Sequence, residues 1–228
     1  MKLSSKIYLI YFSVAVISIG ILAGFYLSQR ADSFKEAEEP VALVEAKVVG
    51  EPYIYTTLTK SLKGQNQAGE DVDLLDLKGK VWVFAQFYSR CPECAKDNII
   101  VLRELQEMFR DNPKFHIVSI TVDPEMDTPE WMADFSNQLS IDTSKWWLMR
   151  TDKDELLEYG QDQLKYNRFE KSATPGQIAH DMRIAVFDDE LQMRGMFNLF
   201  NIDQSKEPER YAYEKDKLVK HIEWCLAN

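Results

Sequence analysis

At 228 residues, with 45% hydrophobic and 28% charged side chains, the chain can bury a sizeable core, which excludes an intrinsically disordered protein. Its 27 Lys and Arg stand against 37 Asp and Glu, a net charge of −10. With no basic cluster, this balance excludes nucleic acid as a partner and favours a cation or a cationic protein surface.

In chain order, the first feature is IYLIYFSVAVISIGILAGFYL, Ile7 to Leu27, which carries no charged side chain. At about 1.5 Å per residue, a helix of that length reaches roughly 30 Å, the thickness of a bilayer's hydrocarbon core. A cleaved signal peptide would have a shorter apolar region and a pair of small residues at its cleavage site, and Ile21-Leu22-Ala23 does not supply them. Residues 1–30 are therefore expected to be a membrane anchor with a transmembrane helix at about 7–27. Residues 31–52, with their EAEEP patch, are expected to be a tether, and 53–228 a single folded domain. Lys2 and Lys6 precede the span while Arg30 and Lys35 follow it, so basic residues alone leave the orientation tied.

Within the domain, Asp71 to Gly79 reads as a short strand or turn. Val81 to Phe87, VWVFAQF, reads as a strand buried on both faces. Pro92 to Arg110 reads as a helix on the spacing of Ile99, Leu102, Leu105 and Phe109. Phe115 to Val122 is a second buried strand. Thr128-Pro129-Glu130 opens another helix, with a capping hydroxyl, a first-turn proline and an acid. Trp146 to Arg150 follows as a strand, Lys153 to Leu164 as a helix and Asn167 to Ile178 as a loop. Arg183 to Phe187 and Gln192 to Phe197 flank Asp188-Asp189-Glu190 as a hairpin. Pro208 to Leu226 closes the chain as a helix. This alternation predicts an α/β domain of thioredoxin-like fold, a central mixed sheet flanked by helices.

Cys91 and Cys94 sit where strand VWVFAQF gives way to a helix. A helix N-terminus carries a partial positive charge and unpaired N–H groups, which favour a thiolate, the form that attacks disulfides and binds metals. Arg90 adds to that effect and Glu93 opposes it. Three readings stay open: a redox pair, two ligands of a metal, or inert packing residues. A tetrahedral zinc site lacks the second Cys pair or His pair it needs. With three cysteines in the chain, a disulfide scaffold is excluded. Cys225 falls on the apolar face of the last helix with Leu218, Val219 and Ile222, and reads as a packing residue. Among the histidines, His116 reads as a satisfied structural residue inside a strand, and His221 as a solvated or packing residue beside that apolar face. His180 precedes strand Arg183–Phe187, at the edge where thioredoxin-type folds bring a loop against the cysteine pair.

Three segments carry a resemblance. FAQFYSRCPECAKD, IVSITVDPEMDTPEWMADF and IAHDMRIAVFDDELQMRGMFN resemble, in the same order, the cysteine segment, the Asp-Pro…Asp-Thr-Pro segment and the His-bearing hairpin of the Sco/SenC family. The likeness covers roughly residues 55–226. It implies a membrane-tethered thioredoxin-like domain outside the cytoplasmic membrane, single-pass, which delivers copper to the dinuclear copper centre of cytochrome c oxidase or reduces that centre's cysteines. By position it implies Cys91, Cys94 and His180 as copper ligands, with Asp123 behind them. For Asp123 and Asp127 the plainer reading is a turn or cap ahead of a helix.

One departure matters. The family separates its cysteines by three residues, and here only Pro92 and Glu93 intervene. One residue fewer turns the second cysteine by about 100° on a helix. Two thiolates at this spacing still suit Cu(I), while Cu(II) asks in addition for the imidazole. The same spacing is that of thioredoxins, so the alternative is a thiol-disulfide oxidoreductase in which Cys91 attacks a partner protein's disulfide and Cys94 resolves it. A thioredoxin-like reductase would, however, carry a proline directly before the strand facing the cysteines, and His180-Asp181-Met182-Arg183 stand there instead.

Overall fold

The computed structural model describes residues 50–89, 98–166, 170–171, 178–200 and 202–228. All lie in one compact unit, Glu45–Asn228. Its strands are β1 (Thr56–Thr57), β2 (Lys63–Gln65), β3 (Asp71–Asp73), β4 (Val81–Phe87), β5 (Phe115–Thr121), β6 (Trp146–Met149), β7 (Glu170–Lys171), β8 (Ile178–Ala179), β9 (Ile184–Phe187) and β10 (Gln192–Phe197). Its helices are α1 (Asn98–Met108), α2 (Pro129–Gln138), α3 (Lys153–Asp162) and α4 (Pro208–Ala227), with a short 3-10 turn at Leu74–Leu77.

The main sheet has the order β1-β10-β9-β4-β5-β6. β4, β5 and β6 run parallel, whereas β9 joins β4 antiparallel and continues through β10 to β1. The result is a mixed sheet with β4 inside it. Every residue of β4 and β5 is buried, as their unbroken apolar runs require. Alternate side chains of β4 feed two cores. Trp82 and Phe84 point to one with Leu74, Leu77, Leu156 and Tyr159, and Trp82 stacks on Phe187 at 4.2 Å between ring centres. Val81, Val83 and Phe87 point to the other, filled by Leu102 and Leu105 of α1, Met132 of α2, and Leu218 and Ile222 of α4.

The exposed flank of β6 is closed in an economical way. The buried Gln67 amide acts as a one-residue substitute strand: its Nε2 donates to the Trp146 carbonyl (2.7 Å) and its Oε1 accepts from the Leu148 N–H (2.8 Å). Gln65 and Arg150 then exchange two backbone hydrogen bonds at 2.9 Å each. Covering an edge in this way removes unpaired strand groups that would otherwise recruit another chain. Gly64 makes the approach possible, since a Cβ there would collide with the Arg150 carbonyl oxygen and the Met149 methyl group.

Most elements fall where the sequence places them. Thr128 caps α2, accepting from the Trp131 N–H at 3.3 Å. α3 stops two residues early because Lys165 turns into the left-handed region (φ 55°) and the Tyr166 N–H bonds back to the Gly160 carbonyl at 2.9 Å. β9 starts one residue late because the Asp181 carboxylate takes the Arg183 N–H at 3.1 Å. The stretch expected to be a loop, 167–178, contributes two short strands, with Glu170 and Lys171 pairing Ala179 and Ile178. The amphipathic helix expected from Pro92 is described from Asn98 onward. The expected anchor and the expected tether up to residue 49 lie outside the described residues, among which no helix is long and apolar enough to cross a membrane. The last tether residues belong to the domain instead, with Arg194 donating to the Glu51 carboxylate at 2.6 Å and to the Pro52 carbonyl at 3.1 Å.

His116 corrects an expectation. It is buried against Trp147, with ring centres 4.6 Å apart, but its Nε2 has no hydrogen-bond partner among the described residues. Burial, helped by the charge of Lys80, pulls its pKa down to about 4, so the ring is neutral. His221 packs edge-to-face on Phe197, with ring centres 4.9 Å apart, and its Nδ1 lies 2.8 Å from the Lys217 carbonyl, which fits its packing reading. Cys225 is buried in the core shared with α4, and burial pushes its thiol up to about 12.

Three measurements follow from this packing. Gly64→Ala should lower stability in urea by about 1–3 kcal/mol, since the new methyl group must displace backbone; an unchanged midpoint would show that the β2–β3 hairpin moves freely. For His116, a folded pKa below the unfolded value of about 6.5 means the unfolded chain binds the extra proton, so stability is complete above about 6.5 and is lost as pH falls toward 4. That loss should reach about 3 kcal/mol at pH 4 in wild type and be absent from His116→Gln, so that it appears in the difference between the two. Cys225 should resist a thiol reagent in the native chain and react only on unfolding, a pattern best read in a Cys91→Ser, Cys94→Ser background.

Candidate functional site

The chain leaves β4 through Gln86, Phe87, Tyr88 and Ser89, and each polar group there has a long-range partner. Gln86 is buried, and its Oε1 accepts the Asp181 N–H at 3.1 Å. The Tyr88 ring meets His180 edge-to-face with ring centres 5.3 Å apart, and its hydroxyl accepts the Ile178 N–H at 3.3 Å. The Ser89 N–H is shared between both oxygens of Asp127, at 3.1 and 3.2 Å. Asp127 is fully buried and also accepts from the Thr121 hydroxyl. Burial raises its pKa, and the hydrogen bonds from Ser89 and Thr121 oppose that rise.

His180 follows β8. Its Nδ1 lies 3.1 Å from the Ile178 carbonyl oxygen. A proton on Nδ1 donated to that carbonyl makes Nε2 the basic nitrogen, as in most metal-binding imidazoles. Burial lowers the His180 pKa, against the smaller opposing effects of Ile178 and Asp181, so at neutral pH the ring is uncharged and in its ligand form. The next three residues are fixed in turn. Asp181 pairs with Arg183 at 2.5 Å. The Met182 carbonyl accepts from Asn98 Nδ2 at 3.0 Å. The Arg183 carbonyl lies 2.9 Å from the Tyr166 hydroxyl, which is itself 3.2 Å from the Phe84 carbonyl.

Cys91 and Cys94 lie outside the described residues. Both flanks of their segment are described, and both are tied down: Ser89, two residues before Cys91, to Asp127, and Asn98, four residues after Cys94, to the carbonyl of Met182. The predicted third ligand, His180, thus lies against Tyr88, three residues before Cys91. Asp123 is buried; its N–H donates to the Thr121 hydroxyl at 3.0 Å and its carbonyl accepts from Met126 and Asp127. For Asp127 the cap reading is corrected. Thr128 does the capping, and Asp127 instead grips the backbone that leads to the cysteines.

Among the described residues, no group of three or more His, Cys, Asp and Glu side chains could hold a metal ion. A cleft of about 940 Å³ lined by Lys63, Asp71, Asp73, Arg150 and Lys153 lies elsewhere and does not include His180. A neutral imidazole joined to two thiolates is a donor set that suits copper in either oxidation state. Gln86, Asn98, Asp127 and Tyr166 were not legible as site residues. Gln86 gave one signal, being the single polar side chain in VWVFAQF.

Comparison with known proteins identifies the family and the fold. The SCO1/SenC family model matches residues 56–219. A SCO1 protein homolog of Bacillus subtilis (strain 168) is 30% identical over 83 residues, which make up 36% of this chain and 43% of that protein, so the match spans less than half of the relative's length. Among solved structures, a SCO1/SenC family lipoprotein from Bacillus anthracis str. Ames superposes with a TM-score of 0.58 at 22% identity, over 75% of this chain and 99% of that one. BsSco, a member of the Sco family of cytochrome c oxidase assembly proteins in which a disulfide switch was identified, gives 0.57 at 20% identity, over 75% and 99%. Yeast Sco1 with copper bound gives 0.56 at 18% identity, over 73% and 89%. These structural likenesses carry the fold alone, whereas the family match runs from β1 into α4, well over half of the chain. The chain belongs to the SCO1/SenC family.

Proposed function

We propose that this chain is a membrane-anchored copper-handling protein, in which Cys91 and Cys94 hold Cu(I) as cargo and His180 joins them for Cu(II). Copper passes by ligand exchange to the thiolates of a partner, the copper-centre subunit of cytochrome c oxidase or another thiol protein. The observation that supports this most directly is the placement of His180. A buried, neutral imidazole, with its tautomer set by the Ile178 carbonyl, sits against Tyr88 where β4 runs into the cysteine segment. Copper-bound relatives of the same fold, from yeast and from Arabidopsis thaliana, support the choice of metal. In this reading residues 7–27 span the cytoplasmic membrane and the domain works on its outer side, where a cycling cysteine pair and a partner's oxidation state both matter.

The two-residue spacing favours a second reading, thiol-disulfide exchange at the same pair without physiological copper. The two separate in one experiment on the full chain in detergent micelles: Cu(I) titrated against a competing chelator, and Cu(II) followed by its thiolate charge-transfer absorption. Copper handling predicts one-to-one Cu(I) binding, and in His180→Ala a shifted band with Cu(II) affinity down about 10–100-fold. Weak binding indifferent to His180 would leave disulfide exchange as the function.

A further inference from the structure

Asn98 is the anomaly on α1. The other buried residues of that helix are Ile99, Val101, Leu102 and Leu105, all apolar. Asn98 is 3% exposed, and it satisfies only half of its amide: Nδ2 donates to the Met182 carbonyl at 3.0 Å, while Oδ1 is buried with no partner among the described residues. A buried acceptor left unmade is unfavourable, and an aliphatic side chain would fill the same space without that cost. The amide therefore has to be explained by what its donor does. Met182 is two residues beyond His180, and Asn98 is four residues beyond Cys94. Gln86 ties the His180 loop to β4 through Asp181, and Tyr166 ties it through Arg183; Asn98 supplies the tie to the helix that continues from the cysteine segment.

We propose that Asn98 is a positioning residue that holds the His180 loop at a set distance from α1, which follows the cysteine segment in the chain, and so selects how well the site accepts Cu(II) relative to Cu(I). The inference rests on the copper reading above and extends it. Cu(I) is satisfied by two thiolates on one short segment, so the separation between segment and loop does not affect it. Cu(II) needs the imidazole from the other side of that hydrogen bond. Loosening the tie therefore acts on one oxidation state. For this one-electron couple, each tenfold selective loss of Cu(II) raises the copper potential by about 59 mV.

The test uses the full chain in detergent, with Cu(I) titrated against a competing chelator and Cu(II) followed by absorption, in wild type, His180→Ala, Asn98→Leu and Asn98→Asp. Asn98→Leu removes the donor and keeps the volume. Asn98→Asp keeps the shape and replaces the donor with an acceptor facing the Met182 carbonyl, so it carries the same test if the leucine variant does not fold. The expected result is a Cu(II) affinity about tenfold lower, with a shifted charge-transfer band, and a Cu(I) affinity within about twofold of wild type. If His180→Ala loses Cu(II) while the folded Asn98 variants keep it, the inference is wrong and the copper reading stands. Equal weakening of both oxidation states in the Asn98 variants also overturns it, since Asn98 would then support the segment as a whole. If His180→Ala changes neither, the positioning role fails, and if binding is weak as well, the copper reading fails with it.

Discussion

The structure depends on the double-sided burial of β4. Its seven residues have no exposed face, with β5 hydrogen-bonded along one side and β9 along the other. Because β5 runs parallel to β4, the loop after β5 arrives at the same end of the sheet as the exit of β4. Because β9 runs antiparallel, the residues that lead into it begin at that end too. Asp127 and the segment from His180 to Arg183 are brought to Tyr88 and Ser89 by strand direction alone. In an α/β sheet this is the position where loops from neighbouring strands meet and a site can form.

Direction brings the groups together, and hydrogen bonds to backbone fix their spacing. The ties at this end reach the N–H groups of Ser89, Ile178 and Asp181 and the carbonyls of Met182 and Arg183, through side chains of Asp127, Tyr88, Gln86, Asn98 and Tyr166. Buried backbone groups must be paired, so each tie is costly to break. Surface pairs differ in kind. Lys78 and Glu190 meet at 3.0 Å with both side chains 63% exposed, where solvent and salt leave little net stabilisation. The Asp181–Arg183 pair lies between these limits. Asp181 is buried and Arg183 is partly solvated, so the pair matters more for shaping the turn after His180 than for stability.

What the sequence made legible follows from the range of the interactions involved. β4 and β5 were readable because burial on two faces imposes an unbroken apolar run, β10 because turn residues mark its hairpin, and the start of α2 because capping is settled within four residues. The two-stranded pairing of Glu170–Lys171 with Ile178–Ala179 was not, being too short to show a period. His180 was placed at the sheet edge by its position just before a predicted strand of the fold, its ligand role came from resemblance, and the structure gave the reason it is neutral. Gln86, Asn98 and Asp127 were missed as site residues for one cause: each has a partner tens of residues away, and no spacing within a segment encodes such a partner. A lone polar residue in an apolar run is the trace such contacts leave. Gln86 shows it clearly, whereas Asn98, beside the charged residues of the cysteine segment, does not stand out.

Dividing the proposed ligands between two elements has a chemical consequence. In the proposal the two thiolates belong to one short stretch of sequence, while the imidazole belongs to a loop anchored to the sheet. A cargo ion held by all three can lose the imidazole without either thiolate moving, which opens a position for an incoming thiolate of a partner. Neutral His180 suits that exchange, because no proton has to leave before it binds and a bound proton does not block its return at neutral pH. In the proposed site the cysteine spacing would set the Cu(I) affinity, and the separation of loop from helix would set the additional hold on Cu(II). Since a buried side chain bridges that separation, the two affinities can be tuned independently. Under that proposal, a change in either the spacing or the bridge would alter the preferred oxidation state of the cargo while leaving the sheet that carries the site intact.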